Sequence, residues 1–249
     1  MSSTKKLKAI VPAALLAATV AHSGLANAAD LLVDPPVYEA PEIVTHSSGG
    51  WYLRGDITYD FNEVQNPTYR NTAAWGVGNT AFTSHETEDA FDVGLGVGYQ
   101  VNDYFRVDLT AEYVFESEFT ATSGCPACPA VDTSEFTTWK LLGNAYADLG
   151  NYSGFTPYVG AGLGGAYVSW GDLTGAGNEP GVADWRFAWA LHAGVSYDIV
   201  ENLKLDVGYT YSHIHGGKSF DSQGATPNVF NDEGITSHVL RAGLRYQIW

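Results

Sequence analysis

Residues 51–61 read Trp-Tyr-Leu-Arg-Gly-Asp-Ile-Thr-Tyr-Asp-Phe. The odd positions are Trp51, Leu53, Gly55, Ile57, Tyr59 and Phe61, and the even ones Tyr52, Arg54, Asp56, Thr58 and Asp60. A β-strand sends alternate side chains to opposite faces, so this segment has one greasy face and one ionic face. The apolar face is aliphatic in its middle and aromatic at both ends, which is the profile of a strand crossing a bilayer. One strand is not a fold, so the pattern has to recur.

It recurs seven times. Phe91–Gln100, Phe105–Phe115, Trp139–Leu149, Pro157–Val168, Trp185–Tyr197, Leu203–Tyr211 and Leu240–Ile248 all have strand length, and all but the glycine-rich Pro157–Val168 have a clear phase. Seven basic residues (Arg54, Arg106, Lys140, Arg186, Lys204, Arg241 and Arg245) fall on the ionic phase of these strands. So do Asp56, Asp60, Asp92, Asp108, Glu112, Asp148 and Asp206. A Lys or Arg facing lipid at mid-depth costs about 2–4 kcal/mol, so a bilayer enforces this segregation. Connections alternate between short turns and long polar stretches, as short periplasmic turns and long external loops do. The expected fold is all-β, an eight-stranded antiparallel transmembrane up-and-down barrel over residues 50–249 with both ends periplasmic.

The remaining composition agrees. No apolar run approaches the ~20 residues that a spanning helix needs, and the other spanning solution is a closed barrel. At the start, Lys5, Lys6 and Lys8 precede an apolar run from Ala9 to Val20, and Ala26-Asn27-Ala28 supplies small residues at a cleavage site. Residues 1–28 therefore read as a secretory signal peptide, the alternative being an anchored N-terminal helix. Residues 29–49 are proline-rich and acidic in Asp34–Glu42, an extended periplasmic segment. With the leader removed, nine Lys and Arg face 28 Asp and Glu, which argues against a nucleic-acid partner.

An eight-stranded barrel is only wide enough inside for side chains. The inward charges are expected to pair as one ionic network and plug the lumen, rather than leave a pore. Glycines 94, 96 and 98 and those around Gly160–Gly165 are expected to make room for long side chains from the opposite wall.

Four stretches then carry a family resemblance: Gly50–Asp56, Asn144–Gly150, Thr156–Gly162 and Arg241–Tyr246. The chain resembles the small eight-stranded outer-membrane barrels of the OmpA-like type, and among them the Brucella-type surface antigens of rhizobia-like alphaproteobacteria. The resemblance implies a location in the Gram-negative outer membrane, envelope integrity and host-facing exposure, and no enzymatic role. No peptidoglycan-binding domain is expected, since the chain ends with its last strand. In such barrels an in-phase terminal aromatic is read for insertion, whereas Trp249 follows Ile248 out of phase.

Possible sites outside the lumen are sparse. Cys125-Pro-Ala-Cys128 falls in what reads as a long external loop and suits a local disulfide in an oxidising compartment, with redox or metal chemistry as the alternative. His213 and His215 share a strand face and, with His85, Glu86, Glu88 and Asp89, are weak candidates for a metal or haem contact; otherwise they are solvated loop residues. Ser212–His213 and Ser237–His238 are adjacent pairs, which strands point to opposite faces, so they do not build a nucleophile and base. Gly94–Gly98 is no nucleotide loop, because no helix follows it. No cofactor is expected. The external loops hold Arg70 and Lys218 against Glu63, Glu86, Glu88, Asp89, Glu118, Asp132, Asp172, Glu179, Asp221, Asp232 and Glu233. Such loops suit a solvated surface, or divalent cations shared with lipopolysaccharide. The expected partners are outer-membrane lipid, lipopolysaccharide and a host surface ligand, the chain being a monomer. The functions to weigh are a structural surface barrel, an adhesin or ligand-binding barrel, and a small porin.

Overall fold

The computed structural model describes residues 49–71, 78–81, 84–125, 128–175, 178–221 and 229–248. The expected signal peptide at residues 1–28, nearly all of the proline-rich segment and Trp249 lie outside these residues. Among the described residues there are eleven strands: β1 Gly50–Gln65, β2 Thr68–Asn71, β3 Gly78–Ala81, β4 Ser84–Thr87, β5 Ala90–Asn102, β6 Phe105–Cys125, β7 Cys128–Asp148, β8 Phe155–Trp170, β9 Ala183–Val200, β10 Leu203–Asp221 and β11 Val229–Gln247. The eight long strands pair antiparallel in chain order from β1 to β5 and on to β11. The first and last strands then pair with each other, from Tyr52↔Gln247 to Gln65↔Gly234. No edge is left in the ring, which is what hydrocarbon requires of a sheet.

The alternation read from the sequence decides which face is which. Leu53, Ile57, Phe91, Leu95, Leu109, Leu141, Leu163, Leu191, Val207 and Leu244 are exposed on the outside. Arg54, Asp56, Asp92, Arg106, Lys140, Asp206, Arg241 and Arg245 are buried inside. The glycine-rich strand, whose phase the sequence leaves open, turns its even positions inward, Tyr158, Ala166, Val168 and Trp170 among them. Short turns join β5 to β6, β8 to β7 and β10 to β9, and Gly150 and Gly154 take the left-handed backbone (φ 95° and 92°) that the middle turn needs.

Two expectations about the loops need correction. The stretch from Phe115 to Trp139 is not a long loop, because β6 and β7 run on as 21-residue strands, paired as far as Cys125↔Cys128. The first connection likewise contains β2, β3 and β4, with β2 paired to β11 and β4 to β6. A tilted spanning strand needs about 9–11 residues, so the long strands project well beyond the bilayer.

In this projecting part the faces exchange character. Its interior holds Val64, Phe119, Phe136, Val168, Trp170, Leu173, Ile214, Phe220 and Ile235, all buried together. Trp170 is the hub, with ring centroids 5.5 Å from Phe119, 4.6 Å from Phe136 and 5.3 Å from Phe220. Its exterior carries exposed Glu116, Glu118 and Glu135. Below, the barrel is apolar outside and ionic inside; above, it is a conventional water-facing β-structure with an apolar core. On β6 a bulge helps to place these residues: Val114 pairs with Thr138 and Ser117 with Phe136, so Phe115 and Glu116 oppose one residue. Even positions point inward before the bulge and odd ones after it, which brings Phe119 and Ala121 into the upper core. A second irregularity, between Lys218 and Phe220 on β10, buries Ser219 and Phe220 side by side.

Candidate functional site

The most concentrated chemistry in the molecule is the buried ionic column of the lower barrel. Its upper tier is built around Lys140 of β7, whose Nζ lies 3.1 Å from Glu112, 3.2 Å from Asp92 and 3.5 Å from Asp60. Arg241 of β11 reaches the other oxygen of Glu112 at 3.0 Å. In the middle tier Arg54 grips Asp56 through two bonds of 2.9 Å and reaches Asp108 at 2.9 Å. Asp108 also accepts from the Tyr52 hydroxyl and from Asn144 Nδ2 at 2.7 Å. Because that amide nitrogen must donate to the carboxylate, the Asn144 oxygen accepts from His192 Nε2 at 3.2 Å, and His192 Nδ1 meets Thr210 at 2.9 Å. In the lowest tier Arg106 pairs with Asp148 at 3.2 Å and lies 3.7 Å from Asp206, sandwiched between the Tyr146 and Tyr158 rings. Arg245 holds Asp206 at 3.3 Å and Ser196, which itself donates to Asp206.

Two of the residues expected in one network stand apart from it. Lys204 sits at the periplasmic rim, where it pairs with Asp198 at 2.5 Å and both side chains are partly exposed. Arg186 reaches up into the projecting part, where Nη1 binds both oxygens of Asp232 at 2.9 Å and Nη2 donates to the Lys218 carbonyl. An inward phase is shared by the whole length of a strand, and it carries no information about height. Asp132 and Asp232, counted among the surface acids by sequence, are buried, and Lys218 pairs with Asp221 at 2.8 Å.

The lumen glycines have a different neighbour from the one expected. Gly98 is the register partner of Tyr52 and Gly160 of Tyr146, and a methyl group at either would fall on the tyrosine ring. Gly96 lies beneath Arg54 in the same way, and Gly243 beneath Asp56. The space is filled from the adjacent strand rather than from the opposite wall. Tyr146, Tyr158, Asn144 and His192, which complete the column, are the members that charge counting overlooks. The available signal is inward phase for Tyr146, Asn144 and His192, and there is none for Tyr158, whose strand has no clear phase.

The column joins five cations (Arg54, Arg106, Lys140, Arg241, Arg245) to seven carboxylates (Asp56, Asp60, Asp92, Asp108, Glu112, Asp148, Asp206). Mutual pairing of this kind holds the buried charges of the column together. For a nucleophile and base the geometry is unsuitable: Ser212 and Ser237 are buried, whereas His238 is exposed on the other phase. His213 is 3.0 Å from Thr236 and its ring 5.3 Å from that of His215 on β10, while His85 lies on β4. Among the described residues no three His, Cys, Asp or Glu form a group able to hold a metal ion. Cys125 and Cys128 are backbone partners at the tip of the β6–β7 hairpin, but their side chains lie outside the described residues.

A closed ring of antiparallel strands, greasy outside and ionic within, defines a membrane-spanning β-barrel. The outer membrane protein beta-barrel domain matches residues 14–247, and the chain belongs to that family. It is 34% identical to an uncharacterised protein of Brucella suis biovar 1, over 94% of this chain and 97% of the relative. A Rickettsia rickettsii protein named provisionally as an adhesin is 28% identical, over 80% of this chain and 88% of the relative. Among solved structures, the outer membrane protein OprG from Pseudomonas aeruginosa covers 80% of this chain and 96% of its own, at 18% identity and a TM-score of 0.50. The protein is thus an outer-membrane barrel.

Proposed function

We propose that the protein is a closed, non-enzymatic structural barrel that stiffens the outer membrane and holds up an acidic head for contact at the cell surface. The observation that carries this reading is the exchange of faces along the strands. Spanning the bilayer needs only the lower half, whereas the upper half has an apolar core of its own and an outer face bearing Glu116, Glu118 and Glu135. A rigid platform of this kind suits display, since loops on a scaffold carry partner specificity. The adhesin name of the Rickettsia relative points the same way. The acidic exterior favours partners that are cationic or reached through divalent cations, lipopolysaccharide phosphates among them. The signal peptide at residues 1–28, the monomeric state and a Cys125–Cys128 disulfide that closes the hairpin tip are parts of the same proposal.

The test uses two forms of the protein. In one, residues 115–137 are replaced by a two-residue Asn-Gly turn between the register partners Val114 and Thr138; the other is the full chain. Both are expected to shift on a gel when boiled, as folded barrels do, and only the full chain is expected to support attachment of the displaying cells to host surfaces. Equal attachment by both would remove the display role. Steady single-channel conductance of the purified full chain in a planar bilayer would replace the closed barrel with a small porin.

A further inference from the structure

On the outer wall, one row of register partners across β6, β7, β8 and β9 is wholly aromatic: Tyr113, Trp139, Tyr167 and Trp185. The row below it, towards the bilayer centre, is Ala111, Leu141, Gly165 and Phe187. The rings of the upper row join two by two, Tyr113 with Trp139 at 4.7 Å and Tyr167 with Trp185 at 5.5 Å. Trp185 also bends down over Gly165, where a methyl group would come within 3.2 Å of its ring. Between the two pairs a slot of about 370 Å³ opens, lined by Ala111, Trp139, Leu141, Tyr167, Trp185 and the backbone of Lys140, whose side chain points into the lumen.

We propose that this slot is a binding site for one acyl chain of lipopolysaccharide. The argument rests on position, shape and chemistry. The slot lies on the membrane-facing wall, continuous with exposed Leu109 and Leu163, so lipid is the medium that touches it. It opens just below the aromatic row, where the outer wall gives way to the acidic face of Glu116, Glu118 and Glu135, the level of the outer leaflet, which in this membrane is lipopolysaccharide. Its walls are carbon and offer no partner for a headgroup, so the recognised part of the lipid is its chain. Lipid is as apolar as the wall, so no hydrophobic driving force acts. What holds the chain is packing against fixed rings and the dispersion energy that an unfilled notch forfeits. A second copy of the barrel fits less well, because the protruding Trp139 and Trp185 rings hold a flat wall away from the floor at Ala111 and Gly165.

The experiment compares wild type with Ala111→Phe, which fills the floor of the slot with a side chain that lipid tolerates. Leu244→Phe, on the β11 wall away from the slot, is the control. Each full-length protein is extracted from outer membranes in mild non-ionic detergent, checked for the boiling-dependent gel shift and examined by native mass spectrometry with added hexa-acylated lipid A or phosphatidylethanolamine. Wild type and Leu244→Phe are expected to retain one lipid A, and Ala111→Phe to lose about tenfold or more of that occupancy. Should Ala111→Phe fail to fold, Leu141→Phe blocks the same slot from the neighbouring strand. Equal retention by all folded forms overturns the site. Retention of phosphatidylethanolamine in place of lipid A overturns its assignment to lipopolysaccharide. A dimer that Ala111→Phe converts to monomer, with lipid retention unchanged, would make the slot a contact between copies and overturn the proposal as well.

Discussion

Lys140 touches three carboxylates at 3.1, 3.2 and 3.5 Å with almost no exposure of its own. Removing one partner from such a cluster leaves uncompensated buried charge, a cost of about 3–5 kcal/mol. Lys140→Met is therefore expected to lower folding stability in detergent or vesicles by about that much in a urea titration. Adding Asp60→Leu and Asp92→Leu, which removes the stranded carboxylates, is expected to recover part of the loss. If the triple variant is no better than the single one, the pairing does not govern stability. Gly98 offers a second check at this scale, because its lack of a side chain is what admits the Tyr52 ring. Gly98→Val is expected to cost about 1–3 kcal/mol as overpacking. Most of that should vanish in the Tyr52→Ala background, a coupling of about 0.5–3 kcal/mol in a double-mutant cycle. Individual charges were legible from phase alone. Arg54, Asp56 and Asp60 of β1 sit inside as the alternation requires. What phase could not convey was which charge meets which, since a partner is a matter of register and height. Phase therefore groups Arg186 and Lys204 with residues they do not touch, and it does not show that the neighbour of Gly98 is on the adjacent strand.

Alternation marks strands where it runs unbroken and hides their ends where it changes meaning. Trp51–Phe61 and Trp185–Tyr197 are legible because outward residues there are uniformly apolar; beyond Phe61 on β1 and Phe115 on β6 the strands continue with the polarity of the two faces exchanged. A reader looking for greasy-outside alternation takes such a stretch for a loop. The bulge at Phe115 and Glu116 deepens the problem, because two residues opposite one shift the period of β6 by a single step. It also supplies a test. Deleting Glu116 removes the extra residue and restores strict alternation with Phe119 and Ala121 still inward, whereas inserting one alanine between Glu118 and Phe119 turns both of them out of the upper core. Both variants are expected to keep the boiling-dependent gel shift of the barrel, and only the insertion to become sensitive to protease added to intact cells. Unchanged protease resistance of the insertion variant would mean that the upper core does not depend on the phase of β6. Trp170→Ala probes the same core without touching phase. Losing the ring that contacts Phe119, Phe136 and Phe220 is expected to cost the head about 3–5 kcal/mol, read as the same gain in surface proteolysis.

At the level of the whole molecule, closure of β1 on β11 makes the lower barrel one cooperative object, and the head is an extension of its walls rather than a separate domain. Dependence is expected to run one way. Replacing residues 115–137 by a short turn should leave a heat-modifiable barrel, whereas a disrupted ionic column, as in Arg54→Ala combined with Lys140→Ala, should abolish both the gel shift and protease resistance of the head. A head that survived on a broken barrel would contradict this order.

The opposite polarity of the two storeys bears on how the molecule reaches its place. Seen from the periplasm, the upper half of every hairpin is a polar cargo with a concealed set of aromatics, and it must cross the bilayer before it can fold. Phe119, Phe136, Trp170 and Phe220 come from four different strands, so their cluster cannot assemble until neighbouring hairpins have been delivered to the far side. Closure of the wall and burial of those rings are thus successive events on opposite sides of the membrane. In the interval, the chain's stickiest residues face the outside of the cell rather than the crowded compartment from which it came.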